Sequence, residues 1–347
     1  MNENYAMTVS VRHVARRARV SIGTVSNVLN RPEIVAPATL IKVQQAMDEL
    51  GFVSSSFAKK IHSASSKTLA LLLPDVSNPL FTEIARGAED AANQNGYSLF
   101  LCNHDHSHEK ERKYIQTLVG QNVQGIMIWP TRGKTDNLDF LRSNNIAVTL
   151  IDTNRYFDVH CSAKVDGIRG GHVAIGHLVD LGHTDITYVY EDTINQFIER
   201  GEGAKQAAAE LGADLKLMEI PSPTTHGGEL GAKKFLESKS SSTAVFCGND
   251  LIALGFMRGL MEAGVKIPED LSVIGFDDIE LAPNALVPLT TVAQDGYQLG
   301  YTATELVIQE CELPDTHIHQ HVLFQPELVE RSSTAQHPSA REKISIA

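Results

Sequence analysis

Five short hydrogen-bonding side chains fall within ten residues near the start of the chain: Ser21, Thr24, Ser26, Asn27 and Asn30. No acid interrupts them. Hydroxyls and amides of this kind reach phosphate oxygens and base edges in a DNA groove. The same stretch carries Val25, Val28 and Leu29 at i, i+3 and i+4, an apolar stripe that gives a short helix a dry back. Ser21, directly after Val20, is a good N-cap. An ordinary surface helix has the same two-faced pattern, so this run alone leaves both readings open.

A second polar set is spread along the chain. Asp75, Asn78 and Phe81, then Asp152, Arg200, Asn249 with Asp250, and Asp277 with Asp278 combine carboxylates, amides, a guanidinium and an aromatic ring. The vicinal hydroxyls of a sugar or nucleoside take paired hydrogen bonds from Asp, Asn and Arg, while an apolar ring face stacks on Phe. Asp250 and Asp278 are more readily helix or turn caps, and Asn249 can be one as well.

Other candidate chemistry is weaker. His104, His106 and His108, and again His317, His319 and His321, form His-x-His-x-His runs. On a strand this spacing puts three imidazoles on one face, which can bind zinc. Neither run has a clear fourth ligand nearby, so a solvated loop and an edge strand are expected, with no metal. Gly167, Gly170 and Gly171 follow an acid and open a helix, but their spacing is not Gly-x-Gly-x-x-Gly and there is no P-loop. There is also no Gly-x-Ser-x-Gly motif and no supported Cys/His dyad. No catalytic residue and no cofactor is expected, and the chain is not expected to be an enzyme.

The elements around the first set decide its meaning. Before it, Val11, Val14, Ala15 and Ala18 follow helical spacing, with Arg12, Arg16, Arg17 and Arg19 on the other faces. Arg19-Val20 leaves room only for a tight turn, as a helix-turn-helix requires. Pro37 suits a first helical position, and Leu40, Val43, Met47 and Leu50 give a third amphipathic helix stopped by Gly51. Residues 1–66 carry eight basic and four acidic side chains, a charge of +4. The remainder, with 22 basic and 38 acidic, carries −16. A basic head on an acidic body is expected when one module alone meets nucleic acid.

The 347 residues exceed one average domain, and a 42% hydrophobic content is ordinary for a globular protein. No apolar run approaches the roughly 20 residues of a membrane helix. Met1 to Val9 show no charged-then-apolar signal pattern, so a cytoplasmic protein is expected. Cys102, Cys161, Cys247 and Cys311 are scattered, with no Cys-x-x-Cys pair, and read as reduced thiols.

From Thr68 short apolar runs alternate with helical patterns. Strands are expected at 69–73, 97–102, 125–129, 147–151, 186–190, 217–220, 244–247 and 271–276. Helices are expected at 79–93, 108–120, 136–142, 168–181, 200–211, 228–238 and 250–263. Alternation of this kind argues parallel sheets with helices on both faces, and the break near 152–166 argues two such sheets. Each residue of the second polar set follows a strand end or opens a helix, where ligands of open α/β sheets collect.

The run from Ser10 to Asn30, containing Val-Ser-x-x-Thr-Val-Ser-x-Val-Leu-Asn, resembles the headpiece of the LacI/GalR family of bacterial transcriptional regulators. The resemblance continues through Val43 to Phe52 and on to the segment from Leu328 to Thr334. It implies an all-α helix-turn-helix headpiece at 1–53, a hinge helix or linker at 54–66, and an effector-binding and dimerisation core at 67–332. The core would be two doubly wound lobes of periplasmic-binding-protein type. The N-lobe would span about 67–164 and 294–324, and the C-lobe about 165–293 and 325–332. Residues 335–347 would be a flexible tail, which is short and lacks a heptad, so a homodimer is expected.

The resemblance also assigns roles. DNA contacts fall on Ser10, Ser21, Ile22, Thr24, Ser26, Asn27, Asn30, Thr39, Lys59, Lys60 and Ile61. Ile61 takes the place of the leucine that wedges into the minor groove. A plain linker remains the alternative for 54–66, because the family's Pro-Asn is Ser54-Ser55 here and the wedge is β-branched. Effector contacts fall on Asn78, Phe81, Asp152, Arg200, Asn249 and Asp277. Where purine-binding members carry Arg and Thr, this chain has Ile194 and Gln196, a tilt toward a pentose, another small sugar, or a nucleoside held by its ribose. The base-reading positions are Ile22, Gly23 and Asn27, and His13 and Leu40 replace the usual Asp and Arg. Asn27 is the one strong reader, favouring adenine, so much specificity is expected from the hinge and from DNA deformability.

The expected function is therefore a sequence-specific repressor of palindromic operator DNA, controlled by a small sugar-like effector. The alternative is a small-molecule carrier or enzyme on the same two-lobed fold. The basic head and the absence of a signal pattern favour the repressor.

Overall fold

Arg19 closes the first helix of the protein in the left-handed region (φ 54°), and that one residue creates the turn on which the head depends. The computed structural model describes residues 10–50, 52, 67–131, 136–153 and 159–337. Two units are distinct, Met1–Lys67 and Thr68–Ala347. In the first, α1 (Val11–Ala18), α2 (Ile22–Asn30) and α3 (Pro37–Leu50) surround a small core of Val14, Ala15, Ala18, Val25, Val28, Leu29, Val43 and Ala46. The turn is held by the Val20 N–H, which donates to the Ala15 carbonyl (3.0 Å). Ser21 Oγ accepts from the Thr24 N–H (3.0 Å) and caps α2. Ser21→Ala is expected to cost the headpiece about 1 kcal/mol, seen as faster amide exchange in α2. Gly51, the hinge segment 54–66 and the tail from 338 onward lie outside the described residues.

The second unit holds two six-stranded sheets. The first runs in the order β11–β5–β4–β3–β1–β2, from β1 (Thr68–Leu73), β2 (Ser98–Asn103), β3 (Gly125–Ile128), β4 (Ala147–Ile151), β5 (Cys161–Val165) and β11 (His321–Phe324). All its pairings are parallel. The second runs β12–β10–β9–β8–β6–β7, from β6 (Asp185–Tyr190), β7 (Asp214–Glu219), β8 (Ala244–Cys247), β9 (Ser272–Asp277), β10 (Thr290–Ala293) and β12 (Glu327–Val329). Only β12 is antiparallel to its neighbour. The central strands are continuous apolar runs, such as Leu69 to Leu73, because helices cover both faces.

Helices α4 (Pro79–Gln94), α5 (His108–Gly120), α6 (Asp136–Ser143) and α11 (Gly296–Glu312) belong to the first sheet. Helices α7 (Gly167–Asp180), α8 (Asn195–Leu211), α9 (Thr225–Ser238) and α10 (Asp250–Glu262) belong to the second. The chain passes from one lobe to the other three times, at 165–167, 293–296 and 324–327.

Three helix pairs are pressed backbone to backbone by reciprocal glycines: Gly87 and Gly300 join α4 to α11, Gly171 and Gly203 join α7 to α8, and Gly228 and Gly255 join α9 to α10. A methyl group on Gly171 would lie 1.9 Å from the Arg200 carbonyl oxygen, and one on Gly203 would lie 1.8 Å from that of Ile168.

The expected strands and helices are present in the expected order; β10, α11 and β12 are not among those expected, and three further differences have a physical cause. The break at 152–166 contains β5, a Cys-Ser-Ala-Lys-Val strand buried at every position although its sequence is mixed. Helix α8 begins at Asn195 instead of Arg200 because the chain turns helical at Ile194, which offers no side-chain cap to mark the start. The edge strand expected over 317–321 begins only at His321. Among the described residues no helix is long and apolar enough to cross a membrane.

Candidate functional site

In the headpiece, Val25, Val28 and Leu29 point into the core, which turns Ser21, Ile22, Gly23, Ser26 and Asn27 outward. Ile22 is 52% exposed at the start of that outward face. Thr24 is half-buried, and its hydroxyl lies 2.9 Å from Ser21 Oγ. A methyl on Gly23 would meet nothing closer than Ser21 Oγ at 3.6 Å, so packing does not demand glycine there. Ser10 donates its N–H to His13 Nδ1 (3.0 Å) at the start of α1, and Thr39 is half-buried on α3. The side chain of Asn30, and Lys59, Lys60 and Ile61 entirely, fall outside the described residues.

The second polar set converges on a cleft between the carboxyl ends of the two sheets. Asn78 and Phe81 enter from the loop after β1 and the first turn of α4. Arg200 enters from α8, Asn249 follows β8, and Asp277 ends β9; all five line the cleft. Asp152 follows β4 but does not line it. Its Oδ1 instead accepts from the Val165 N–H (3.2 Å), and its carbonyl accepts from Gln196 Nε2 (2.9 Å). Burial pushes its carboxyl up to about 6, against the pull of Arg200 and Lys164.

Arg200 is the centre of the C-lobe wall. It is 3% exposed, stacks 3.6 Å above the Phe276 ring and donates from Nη1 to the Gly248 carbonyl (2.5 Å). Its Nη2 lies 3.4 Å from Asp277 Oδ1, and its Nε is buried without a hydrogen-bond partner among the described residues. Burial raises Asp277 to about 7, opposed by Arg200 and by Gln294, whose Nε2 donates to Oδ1 (2.5 Å). Asn78 and Asn249 both cap helices, accepting from the Leu80 and Ile252 N–H groups at 3.1 and 2.8 Å. Asn249 also donates from Nδ2 to the Pro223 carbonyl. Each asparagine carries a second polar group beyond the one that caps, so capping and ligand contact are compatible.

Asp250 and Asp278 have structural partners. Asp250 accepts from Thr291 Oγ1 (2.6 Å) and the Ile279 N–H (3.0 Å), and Asp278 pairs with Arg331 (2.6 Å).

Sequence reasoning missed the aromatic wall. Trp129 packs edge-on against Phe81, ring centroids 5.0 Å apart, and Phe197 faces them. Trp129 immediately follows β3, so the strand-end rule that selected Asp75 and Asp152 also points to it. His106 and Pro223, after β2 and β7, complete the rim with Asp75, Ile194 and Gln196. Free space in the cleft is about 40 Å³, room for roughly three water molecules. The lobes must part to admit a sugar ring.

The first histidine run does not gather its rings, and one of them is not solvated. His104 is buried and donates from Nε2 to the Trp129 carbonyl (2.9 Å), His106 sits at the cleft rim, and His108 pairs with Asp136 (2.9 Å).

Comparison with known proteins agrees with this architecture. Residues 10–55 match the family model described as bacterial regulatory proteins, lacI family, and residues 175–334 match a periplasmic binding protein-like domain. The chain is 34% identical to a ribose operon repressor of Halalkalibacterium halodurans, over 87% of this chain and 90% of that protein. It is 32% identical to the HTH-type transcriptional repressor PurR of Photobacterium profundum, over 93% and 98%. A solved LacI family regulator from Enterococcus faecium with bound ribose is 31% identical, covers 78% of this chain and all of its own, and superposes with a TM-score of 0.72.

Proposed function

The chain belongs to the LacI family of bacterial regulatory proteins, and from that premise we propose that it is a homodimeric repressor whose operator affinity is set by a pentose held between its two core lobes. It is a DNA-binding transcriptional regulator and not an enzyme. The observation that carries the effector reading is the cleft itself. A fixed guanidinium and carboxylate, two asparagine amides and an aromatic corner surround it, the donor and stacking set that a ring bearing vicinal hydroxyls needs. Ile194 and Gln196 line it without the extra cation that would suit a purine base. The ribose-bound relative supports a pentose over the purine implied by the name PurR.

In this reading Asn78, Phe81, Arg200, Asn249 and Asp277 contact the sugar, Asp152 acts through Gln196, and Trp129 forms the wall. DNA contacts are made by Ser10, Ser21, Ile22, Thr24, Ser26, Asn27, Asn30 and Thr39, with Lys59, Lys60 and Ile61 from the hinge. The division into 1–53, 54–66, 67–332 and 335–347 follows from the same reading. A regulator of this kind works where the chromosome is, in the cytoplasm.

Thermal shift of the full-length protein with single pentoses, hexoses, nucleosides and purine bases tests the effector. A pentose is expected to raise the melting temperature by mass action. A response to hypoxanthine or guanine without one to any pentose would overturn the reading. On the DNA side, Asn27→Ala is expected to weaken binding to the operator upstream of its own gene roughly tenfold to a hundredfold. Non-specific binding, measured in the same gel-shift series, should hardly change.

A further inference from the structure

We infer that Cys161, Glu310, His317 and His319 form a binding site for a divalent transition-metal ion of the zinc class, on the N-lobe away from the effector cleft. One ligand atom from each of the four lies within 4.8 Å of all the others. Cys161 Sγ is 3.0 Å from His317 Nε2 and 3.8 Å from His319 Nδ1. Tetrahedral bonds of about 2.0–2.3 Å put ligand atoms roughly 3.4–3.7 Å apart, so small rotamer changes complete the shell.

The topology explains why residues so distant in sequence meet. β11 runs parallel to β5 at the sheet edge, so the segment leading into β11 passes beside the first residue of β5. The Ser162 N–H donates to the Gln320 carbonyl (2.9 Å) and fixes that register. His317 and His319 are two apart, which puts both rings on one side of an extended segment. Glu310 comes from the last turns of α11.

Three further observations point to an ion and not to a chance cluster. The Gln320 N–H donates to Cys161 Sγ (3.3 Å), the outer-shell contact that steadies a thiolate. Glu310 Oε2 is buried and has no hydrogen-bond partner among the described residues. A surface cavity lined by Glu310, His319 and His160 reaches the cluster and offers an entry path.

One thiolate, two imidazoles and one carboxylate suit zinc or its cobalt and nickel analogues, whereas magnesium and calcium take oxygen ligands. Binding forms the metal–sulfur bond and releases the Cys161 thiol proton to solvent. The ion would cross-link β5, α11 and the segment before β11, holding the edge strand that leads into the third lobe crossing. This inference does not rest on the identity of the effector.

The test uses the tag-free full-length chain, stripped with chelator and titrated with Co²⁺ alone. Saturation at one equivalent per chain is expected, with a near-ultraviolet thiolate-to-cobalt band and the visible bands of a tetrahedral site. Zn²⁺ should displace the cobalt and, at about a hundredfold over its Kd, raise the melting temperature by about 5 °C. Cys161→Ser should lose the sulfur band. If that variant fails to fold, the double variant His317→Gln/His319→Gln, which keeps the thiol, should lose stoichiometric binding. Absence of saturation near one equivalent, a sulfur band that survives Cys161→Ser, or full binding by the double variant would overturn the site.

Discussion

Replacing Arg200 by alanine is expected to abolish the pentose response of the core and to lower its stability by about 3 kcal/mol, while operator binding by the separate headpiece persists. Removing one partner of a buried ion pair costs roughly 3–5 kcal/mol, because the other charge stays buried alone. Here Asp277 has a way out. Its carboxyl, already raised to about 7 with Arg200 beside it, rises further without it and stays protonated, which puts the cost at the low end. Losing the guanidinium from the face of Phe276, 3.6 Å away, adds to the deficit.

The sign of the pH dependence follows. A carboxylate raised in the native state binds a proton that the unfolded chain has released, so its contribution falls as pH rises through the window between the two values. The variant extends that window upward. Its deficit should be constant below about pH 6 and widen above it, first through Asp152, which also loses the pull of Arg200, and then through Asp277, by as much as about 1.4 kcal/mol per pH unit for each carboxyl. Urea denaturation at pH 6 and pH 8 measures this, and Asp277→Asn in the same background should remove the part that Asp277 contributes. An unchanged pentose response in Arg200→Ala would remove the residue from the effector site.

Gly171→Ala is expected to destabilise the core by about 3 kcal/mol, whereas Gly176→Ala, five residues further along the same helix, should stabilise it by roughly 0.5–1 kcal/mol. A methyl at Gly176 meets nothing within 4 Å, so only the gain in helix propensity remains. At Gly171 the new carbon would lie 1.9 Å from the Arg200 carbonyl oxygen and 2.8 Å from the Ala204 nitrogen. Both are backbone atoms of a helix, which cannot swing aside as a side-chain tip can. Overpacking costs about 1–3 kcal/mol where the surroundings can yield, and α7 and α8 yield only by moving apart. Because α8 carries Arg200, pentose affinity should fall with stability in this variant. Denaturation of the two alanine variants side by side gives the contrast, and equal stabilities would show that the helix pair is not close-packed through Gly171.

The headpiece was legible because its signals are local: the Ser21 cap, the 25-28-29 stripe and the tight Arg19-Val20 turn all act within a few residues. Strands such as Ala244–Cys247 and Ala147–Ile151 were equally plain, being apolar runs between clear turns. β5 was not, because a strand containing Ser162 and Lys164 is buried only through distant partners; Lys164 pairs with Glu199 at 2.5 Å. The polar members of the cleft and Phe81 followed from strand ends; Trp129 stands at a strand end too, but its edge-on contact with Phe81 arises only from the approach of α4 to β3. The Cys161 cluster was out of reach altogether, since its thiol and its imidazoles are more than 150 residues apart and meet only through the β5–β11 pairing.

The three lobe crossings have a consequence for how the protein is made. Neither lobe is a continuous stretch of chain. The N-lobe sheet is begun by β1 near residue 68, yet it waits for α11 and β11, which leave the ribosome only after the whole of β6 to β10. Domains usually fold in order as they are synthesised. Here the first lobe to start is among the last to finish, and its half-covered sheet must stay unaggregated while the other lobe is translated. The two lobes are finished within a few residues of each other, late in synthesis, and no truncation before β11 yields either one complete.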